Sequence, residues 1–533
     1  MRIAIRQLAA TCLVLFVSAV ACQAGVFNGI VESVSDEPRS ITVKVVKKDR
    51  SETFEVKASA VITVDGKKVT LDELQAGQTA SITTNGVDEV TKLVVRTAVA
   101  KPADDTPPKA ATTKGSKPKA SGTGKTGSKQ KGDDAVDENP IAVGEWPQYR
   151  GPNRDNISRE PGLLQKWPDD GPQLAWKATG IGLGYSSVAV ANGKVYTMGN
   201  REDDEFLIAL DAKTGDELWA LKTGKAYHDG TGDGPRGTPT VDEDRVYALG
   251  ANGDLVCADA DKGEQVWHLN ILEEFGGGNI TWGISESVLI DGDKLICTPG
   301  GKKATLAALN KLNGKTLWKS QVQGSPPAAY ASAIAIEVNG LRQYVNFVHT
   351  GVVGVKASDG KPLWGEQKSA NGTANCSSPL FYDDGVFSAS GYGTGGALVN
   401  LAGNSSNTKS TFAYHTANMK NHHGGMAVVN GYIYGFDEGV MTCLEWKTGK
   451  EKWQDRSVGK GSMTIADGML YLRSEQGQLA LAEVTPDGYN ETGRFTQPDR
   501  SDKPAWAHPA VAGGKLYLRD MDTLLVYDVK ADE

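Results

Sequence analysis

The chain has 533 residues, a formal charge of −8 and 23% charged residues, which fits a soluble protein of two or more folded units and gives no support to a nucleic-acid partner. Its 63 glycines, many in Asn-Gly and Asp-Gly pairs, point to many tight turns and therefore many strands. No CxxC or CxxCH occurs, which excludes by motif a zinc knuckle and a covalently attached c-type haem.

Residues 1–24 read as an export signal. Arg2 and Arg6 precede an apolar stretch from Leu8 to Ala21 that is too short and too early to span a membrane. Ala19-Val20-Ala21 fits the small-x-small cleavage rule, and Cys22 leaves open a lipid anchor on an acylated amino terminus. The reading favours simple cleavage near Ala21 or Ala24 and an exported protein of the periplasm or cell envelope. Of the remaining thiols, Cys257 and Cys443 fall at small-residue packing positions and are expected as buried hydrophobes.

Residues 25–100 read as a small all-β, barrel-like domain. Alternating stretches lie at 29–34, 41–46 and 53–56, shorter ones at 61–64, 79–83 and 92–95, with a helical turn at Leu71 to Leu74. Residues 101–140 lose this periodicity. Between Lys101 and Gly132 eight lysines stand against Asp104 and Asp105 among Pro, Ser, Thr and Gly, the composition of a disordered tether that also suits contact with anionic envelope polymers.

Residues 141–533 repeat themselves. The unit Ala209 to Trp219 recurs, ending at Trp267, Trp318, Trp364 and Trp453, with glycine four residues before each Trp: Gly215, Gly263, Gly314, Gly360 and Gly449. Glycine gives the positive φ of a tight connection, and the Trp is expected to lie across the gap between adjacent sheets, destabilising the fold when removed. Degraded copies end near Phe412-Tyr414 and at Phe495. Between these units lie eight hairpin turns: Asn192-Gly193, Asp242-Asp244, Asp291-Gly292, Asn339-Gly340, Asp384-Gly385, Asn430-Gly431, Asp467-Gly468 and Gly513-Gly514. Eight hairpins predict eight blades. The last lacks its fourth strand, which Leu174-Ala175-Trp176 is expected to supply.

The unit with Asp211, Gly215 and Trp219 resembles the tryptophan-docking repeat of PQQ-like propellers, a superfamily that includes quinoprotein alcohol dehydrogenases and the propeller lipoprotein that assists outer-membrane β-barrel assembly. The resemblance covers residues 145–530 and implies an all-β, eight-bladed propeller, expected as a monomer. A PQQ dehydrogenase needs a base, a Ca²⁺ held by carboxylate and amide oxygens, and flat groups around the quinone. No vicinal cysteines occur here.

Residues just before each inner strand should face the axial channel. There the sequence offers Arg236, Trp282, Glu286, Tyr330 and Asn375, followed by His422, His423, Lys460 and His508, a funnel for a small anionic or sugar-like ligand or simply the lining of a hydrated channel. Adjacent His422 and His423 would face apart in an extended chain, which argues against a shared metal. Asp229, Thr231 and Asp233 open like a calcium loop, but its closing position is Thr240. No catalytic residue is assigned. The leading expectation is a binding or assembly scaffold with a protein or envelope-polymer partner and no cofactor. The rival is an alcohol or sugar dehydrogenase using PQQ with Ca²⁺ in the axial channel.

Overall fold

The computed structural model describes residues 144–531 continuously and, towards the amino terminus, residues 26–36, 39–45, 50–64, 67–68, 70–71, 74, 79–84 and 89–96. The expected export signal, Cys22 and the expected basic tether lie outside the described residues. Contacts divide the chain into two units, Met1–Gly127 and Ser128–Glu533.

In the first unit Val26–Asp36 pairs antiparallel with Arg39–Val45, which pairs with Arg50–Val64. That strand runs parallel to Glu89–Arg96, which pairs with Thr79–Thr84 and so returns to the first strand. The five long strands thus close on themselves in the order first, second, third, fifth, fourth, the arrangement of a small OB-type barrel. Val31, Ile41, Val43, Phe54, Val56 and Ile62 fill its interior.

The second unit is the propeller. Eight blades of four antiparallel strands follow one another along the chain, the seventh carrying Ile157–Ser158 as a fifth, parallel strand, and each opens with an inner strand: Ala189–Ala191 for blade one, then Thr240–Asp242, Leu289–Asp291, Ile334–Val338, Leu380–Tyr382, Ala427–Val429, Gly461–Ala466 and, for blade eight, Ala510–Ala512. The last blade is completed from the front of the chain, where Leu174–Thr179 pairs with Thr523–Asp528 and Trp176 stands opposite Val526. Each of the eight gaps between neighbouring blades holds its own apolar cluster. The core is therefore a ring of interfaces.

The turn motif works between blades. In blade one Asp211 caps its own turn, its Oδ1 accepting from the Lys213 and Thr214 amides at 2.8 and 3.1 Å. The turn puts Gly215 at φ +78°, with its bare face against the Trp176 ring of blade eight. Trp219 packs likewise on Gly263, Trp267 on Gly314 and Trp318 on Gly360. The indole N–H then donates into the receiving blade: Trp176 to Ala212 O at 3.1 Å, Trp267 to Lys311 O at 2.9 Å and Trp318 to Ala357 O at 3.0 Å. Tyr414 and Phe495 fill the same position in the degraded copies, on Gly449 and Gly171.

Three details differ from expectation. Blade five has no such glycine turn, because its outer strands Gly395–Asn404 and Asn407–Thr416 form one long hairpin. Trp364 instead donates to Gln343 Oε1 at 2.9 Å, and Gln343 donates to Thr408 of that hairpin at 2.8 Å. The fifth blade's inner turn is Asp383-Asp384, both with positive φ, one residue earlier than Asp384-Gly385, since Gly385 already pairs with Tyr382. The inner turn of blade three is Gly292-Asp293, one residue later than Asp291-Gly292, since Asp291 already pairs with Lys294. Cys257 and Cys443 are free and fully buried, opposite Trp267 and Trp453.

Candidate functional site

The stretch Trp146-Pro147-Gln148-Tyr149-Arg150-Gly151-Pro152 opens a plug through the middle of the ring. Trp146 exchanges two backbone bonds of 2.8 Å with Val190 of blade one, and Pro147 O accepts from Val241 of blade two at 2.7 Å. Arg150, Arg154 and Asn156 then take positive φ, all three buried. Arg150 donates to Met426 O of the blade-six entry at 2.8 Å, Arg154 to Ser287 O of the blade-three entry at 2.5 Å and Asn156 to Met463 O of blade seven at 2.7 Å. Ile157–Ser158 finally runs parallel to the inner strand of blade seven. One segment thus ties the inner faces of distant blades together through their carbonyls, with charge-assisted bonds from the two arginines. Burial lowers the Arg154 guanidinium to about 10, with the Glu286 charge opposing.

Against this plug lies a cavity of about 320 Å³. Seven of the eight blade entries line it: Tyr185 and Ser187 for blade one, Arg236 and Thr238 for blade two, Trp282, Ser285 and Ser287 for blade three, Tyr330 for blade four, Ala374 and Cys376 for blade five, His422 and His423 for blade six, and Trp506 and His508 for blade eight. Tyr149 comes from the plug and Tyr392 from the loop after Gly385–Ser390, the strand that runs back to the entry end of blade five. Rings dominate the wall. Tyr185 lies 4.8 Å from Trp506, Trp282 5.7 Å from Tyr330, Tyr149 5.3 Å from His508 and Tyr392 5.0 Å from His422. Tyr392 is half exposed and held at φ +56°, an unusual backbone for a bulky side chain, with its hydroxyl 2.9 Å from His422 Nε2.

Charge is confined to two places. Arg236 lies over the rings of Tyr185 and Tyr227, at 5.5 and 4.6 Å, and donates to the carbonyls of Gly232 and Gly234. Burial lowers its pKa, with the neighbouring tyrosines and Asp229 opposing. Across the cavity Glu475 accepts from Trp506 Nε1 at 2.8 Å and Lys460 Nζ at 3.0 Å, with His423 Nε2 at 3.1 Å. Burial alone would raise Glu475, but these bonds, with the charges of His423 and Lys460, hold it at about 2. Burial pushes His422 down to about 4 and His508 to about 3, so both are neutral at pH 7. It pushes the Cys376 thiol up to about 12, which leaves it without thiolate character.

Of the channel residues named from the sequence, Arg236, Trp282, Tyr330, His422, His423 and His508 meet around this one cavity. Three do not line it. Glu286 is buried behind the wall, accepting from the Thr298 amide and hydroxyl at 2.6 and 2.8 Å. Asn375 donates to His349 O at 2.9 Å and organises its own loop, and Lys460 stands behind Glu475. His422 and His423 are not extended: the chain bends at both, and their rings lie 5.6 Å apart on the one cavity wall. In the loop that opened like a calcium site, Asp229 accepts from Thr231, and Asp233 from the Asp229 amide with its other oxygen on His228. The oxygens thus serve the loop itself. Tyr149, Tyr185, Tyr392 and Trp506 went unrecognised. Tyr185 and Trp506 occupy the same entry positions as the named residues, whereas Tyr149 and Tyr392 arrive from segments with no entry signal.

A family profile described as outer membrane protein assembly factor BamB matches residues 159–280, 203–419 and 408–494. The outer membrane protein assembly factor BamB of Burkholderia pseudomallei (strain K96243) is 31% identical over 126 residues, which are 23% of this chain and only 28% of that protein. Among solved structures, the quinohemoprotein alcohol dehydrogenase of Comamonas testosteroni has a TM-score of 0.52 at 12% identity, covering 74% of this chain and 82% of that one. The corresponding enzyme of Pseudomonas putida HK5 has a TM-score of 0.50 at 12% identity, covering 73% and 81%. These solved structures share the fold, and the profile spans most of the propeller: the chain belongs to the PQQ-like β-propeller family of outer membrane protein assembly factor BamB.

Proposed function

We propose that this protein is an exported binding scaffold of the cell envelope that captures a ligand, or a side chain of a partner protein, in the aromatic cavity at the propeller axis. The observation that carries this reading is the wall itself: Tyr149, Tyr185, Trp282, Tyr330, Tyr392 and Trp506 present ring faces and edges around one concave space, the chemistry of stacking recognition. The envelope location rests on the Arg2–Ala21 signal pattern and on the family.

The donor set does not suit PQQ with Ca²⁺. The lining offers hydroxyls, imidazoles and rings but no carboxylate, while Ca²⁺ takes carboxylate and amide oxygens. Glu475, behind the wall, stands with the imidazoles of His422 and His423, nitrogen donors that Ca²⁺ does not favour. Arg236, the cation on the wall, already serves two carbonyls.

Affinity capture from envelope extracts with the full chain, run beside Trp282→Ala and Trp506→Ala, tests the reading. Retention of a discrete partner or polymer by the wild type, reduced at least tenfold in both variants, is expected. Equal retention by all three, or none above a control protein, overturns it. Dye reduction on addition of PQQ, Ca²⁺ and an alcohol or sugar would favour the dehydrogenase instead.

A further inference from the structure

One part of the cavity wall has a chemistry that stacking does not use. One ring nitrogen of His422, one of His423 and a carboxylate oxygen of Glu475 all lie within 4.8 Å of one another. Nδ1 of each histidine is shielded from solvent and makes no hydrogen bond, so each imidazole keeps a nitrogen uncommitted inside the protein. A shielded nitrogen without a partner is costly unless something occupies it.

We propose that His422, His423 and Glu475 form a site for a borderline divalent transition metal, Zn²⁺ being the representative, with an open coordination position towards the aromatic cavity. Two imidazoles and one carboxylate are the ligand set that Zn²⁺ and its first-row neighbours take when one position is left for solvent or ligand. Hard oxygen-seeking cations are served less well by it.

The surroundings hold Glu475, the His422 ring and the His423 backbone in place, as supporting residues hold metal ligands. Trp506 Nε1 donates to Glu475 Oε1 at 2.8 Å, the Tyr392 hydroxyl meets His422 Nε2 at 2.9 Å, and His508 Nε2 lies 2.9 Å from His423 O. Gly391 allows the close approach, since a Cβ there would come 3.1 Å from the His422 Cα. Lys460 is the competing cation: its ammonium sits 3.0 Å from Glu475 Oε1 on a side chain 36% exposed, so a metal entering the site displaces it into water. The site goes beyond the scaffold reading and is tested without any partner.

The test is titration of the purified full chain with Zn²⁺ against a chromophoric chelator. One saturable site is expected, weakened at least tenfold by His423→Ala and by Glu475→Gln, unchanged by His268→Ala at the surface, and tightened several-fold by Lys460→Met. The gain on removing Lys460 separates this site from adventitious binding by surface histidines. Should the histidine variant melt early, Co²⁺ bound to the wild type carries the test. Visible bands of a four- or five-coordinate ion are expected, and the pale spectrum of the hydrated ion overturns the proposal. Absence of saturable Zn²⁺ binding in a micromolar titration, or binding indifferent to Glu475→Gln and Lys460→Met, overturns it equally.

Discussion

Gly263 of blade two receives the indole of Trp219 from blade one, and a Cβ on Gly263 would come within 2.5 Å of the Trp219 ring. The glycine therefore answers two demands at once: φ of +70° for its own turn and a flat seat for the neighbour's ring.

The two demands can be separated, because Gly193 has nearly the same φ, +73°, with nothing within 4 Å of its absent Cβ. Gly193→Ala should cost about 1–2 kcal/mol from the left-handed backbone alone. Gly263→Ala should add about 1–3 kcal/mol of overpacking, read from denaturant melts of both variants. Equal losses would refute the seat.

Closure of the ring gives a second expectation. Leu174–Thr179 supplies the outer strand of the last blade and Trp176 docks on Gly215 of the first. Arg519, fully buried, ties the same seam by donating to Gly182 O at 2.8 Å and to Thr197 and Met198 of blade one. A chain beginning at Ser186 should melt early and aggregate through its open edge, as should one ending at Lys503. A chain beginning at Val136 should melt like the full protein in calorimetry, since the plug and closing strand remain.

Gln343 is the adaptor of the irregular blade pair. Gln343→Leu leaves the indole N–H of Trp364 without its 2.9 Å acceptor in a buried setting, and should cost about 1–3 kcal/mol. Thermal denaturation of the Gln343→Leu and Trp364→Phe variants checks it: once the N–H is gone, the Gln343 change should cost less in the double variant.

Glu205 sets a pH dependence. It is buried, accepting from the Ala251 amide at 3.2 and 3.3 Å, one distance from each oxygen. Burial lifts it from 4.5 to about 8, with Asp254 adding and the Ala251 bond and Arg236 opposing. The folded protein thus keeps a proton that the unfolded chain releases. The associated stability is full below pH 4.5 and is lost as the pH rises towards 8. Glu205→Gln, which mimics the protonated form, should raise Tm at pH 8 and leave it nearly unchanged at pH 4.5. A Tm difference that does not vary with pH would contradict this.

The sequence by itself determined the propeller, because its fold is a sum of local units. Each hairpin turn and each Gly-to-Trp segment is legible within a dozen residues, and even Leu174-Ala175-Trp176 betrays its place by resembling the strand the last blade lacks. The binding cavity is different in kind. His422 and His508 were recognisable because entry loops repeat, but Tyr149 enters from a plug whose anchors, Met426, Ser287 and Met463, lie between 133 and 307 residues away. Tyr392 comes from a loop between two later strands of its blade. The shared side of His422 and His423 depends on a bend at these residues that a strand pattern does not specify, and their neighbour Glu475 belongs to the next blade. Repetition is written along the chain, whereas convergence on an axis joins residues with no regular spacing, and only the closed ring brings them together.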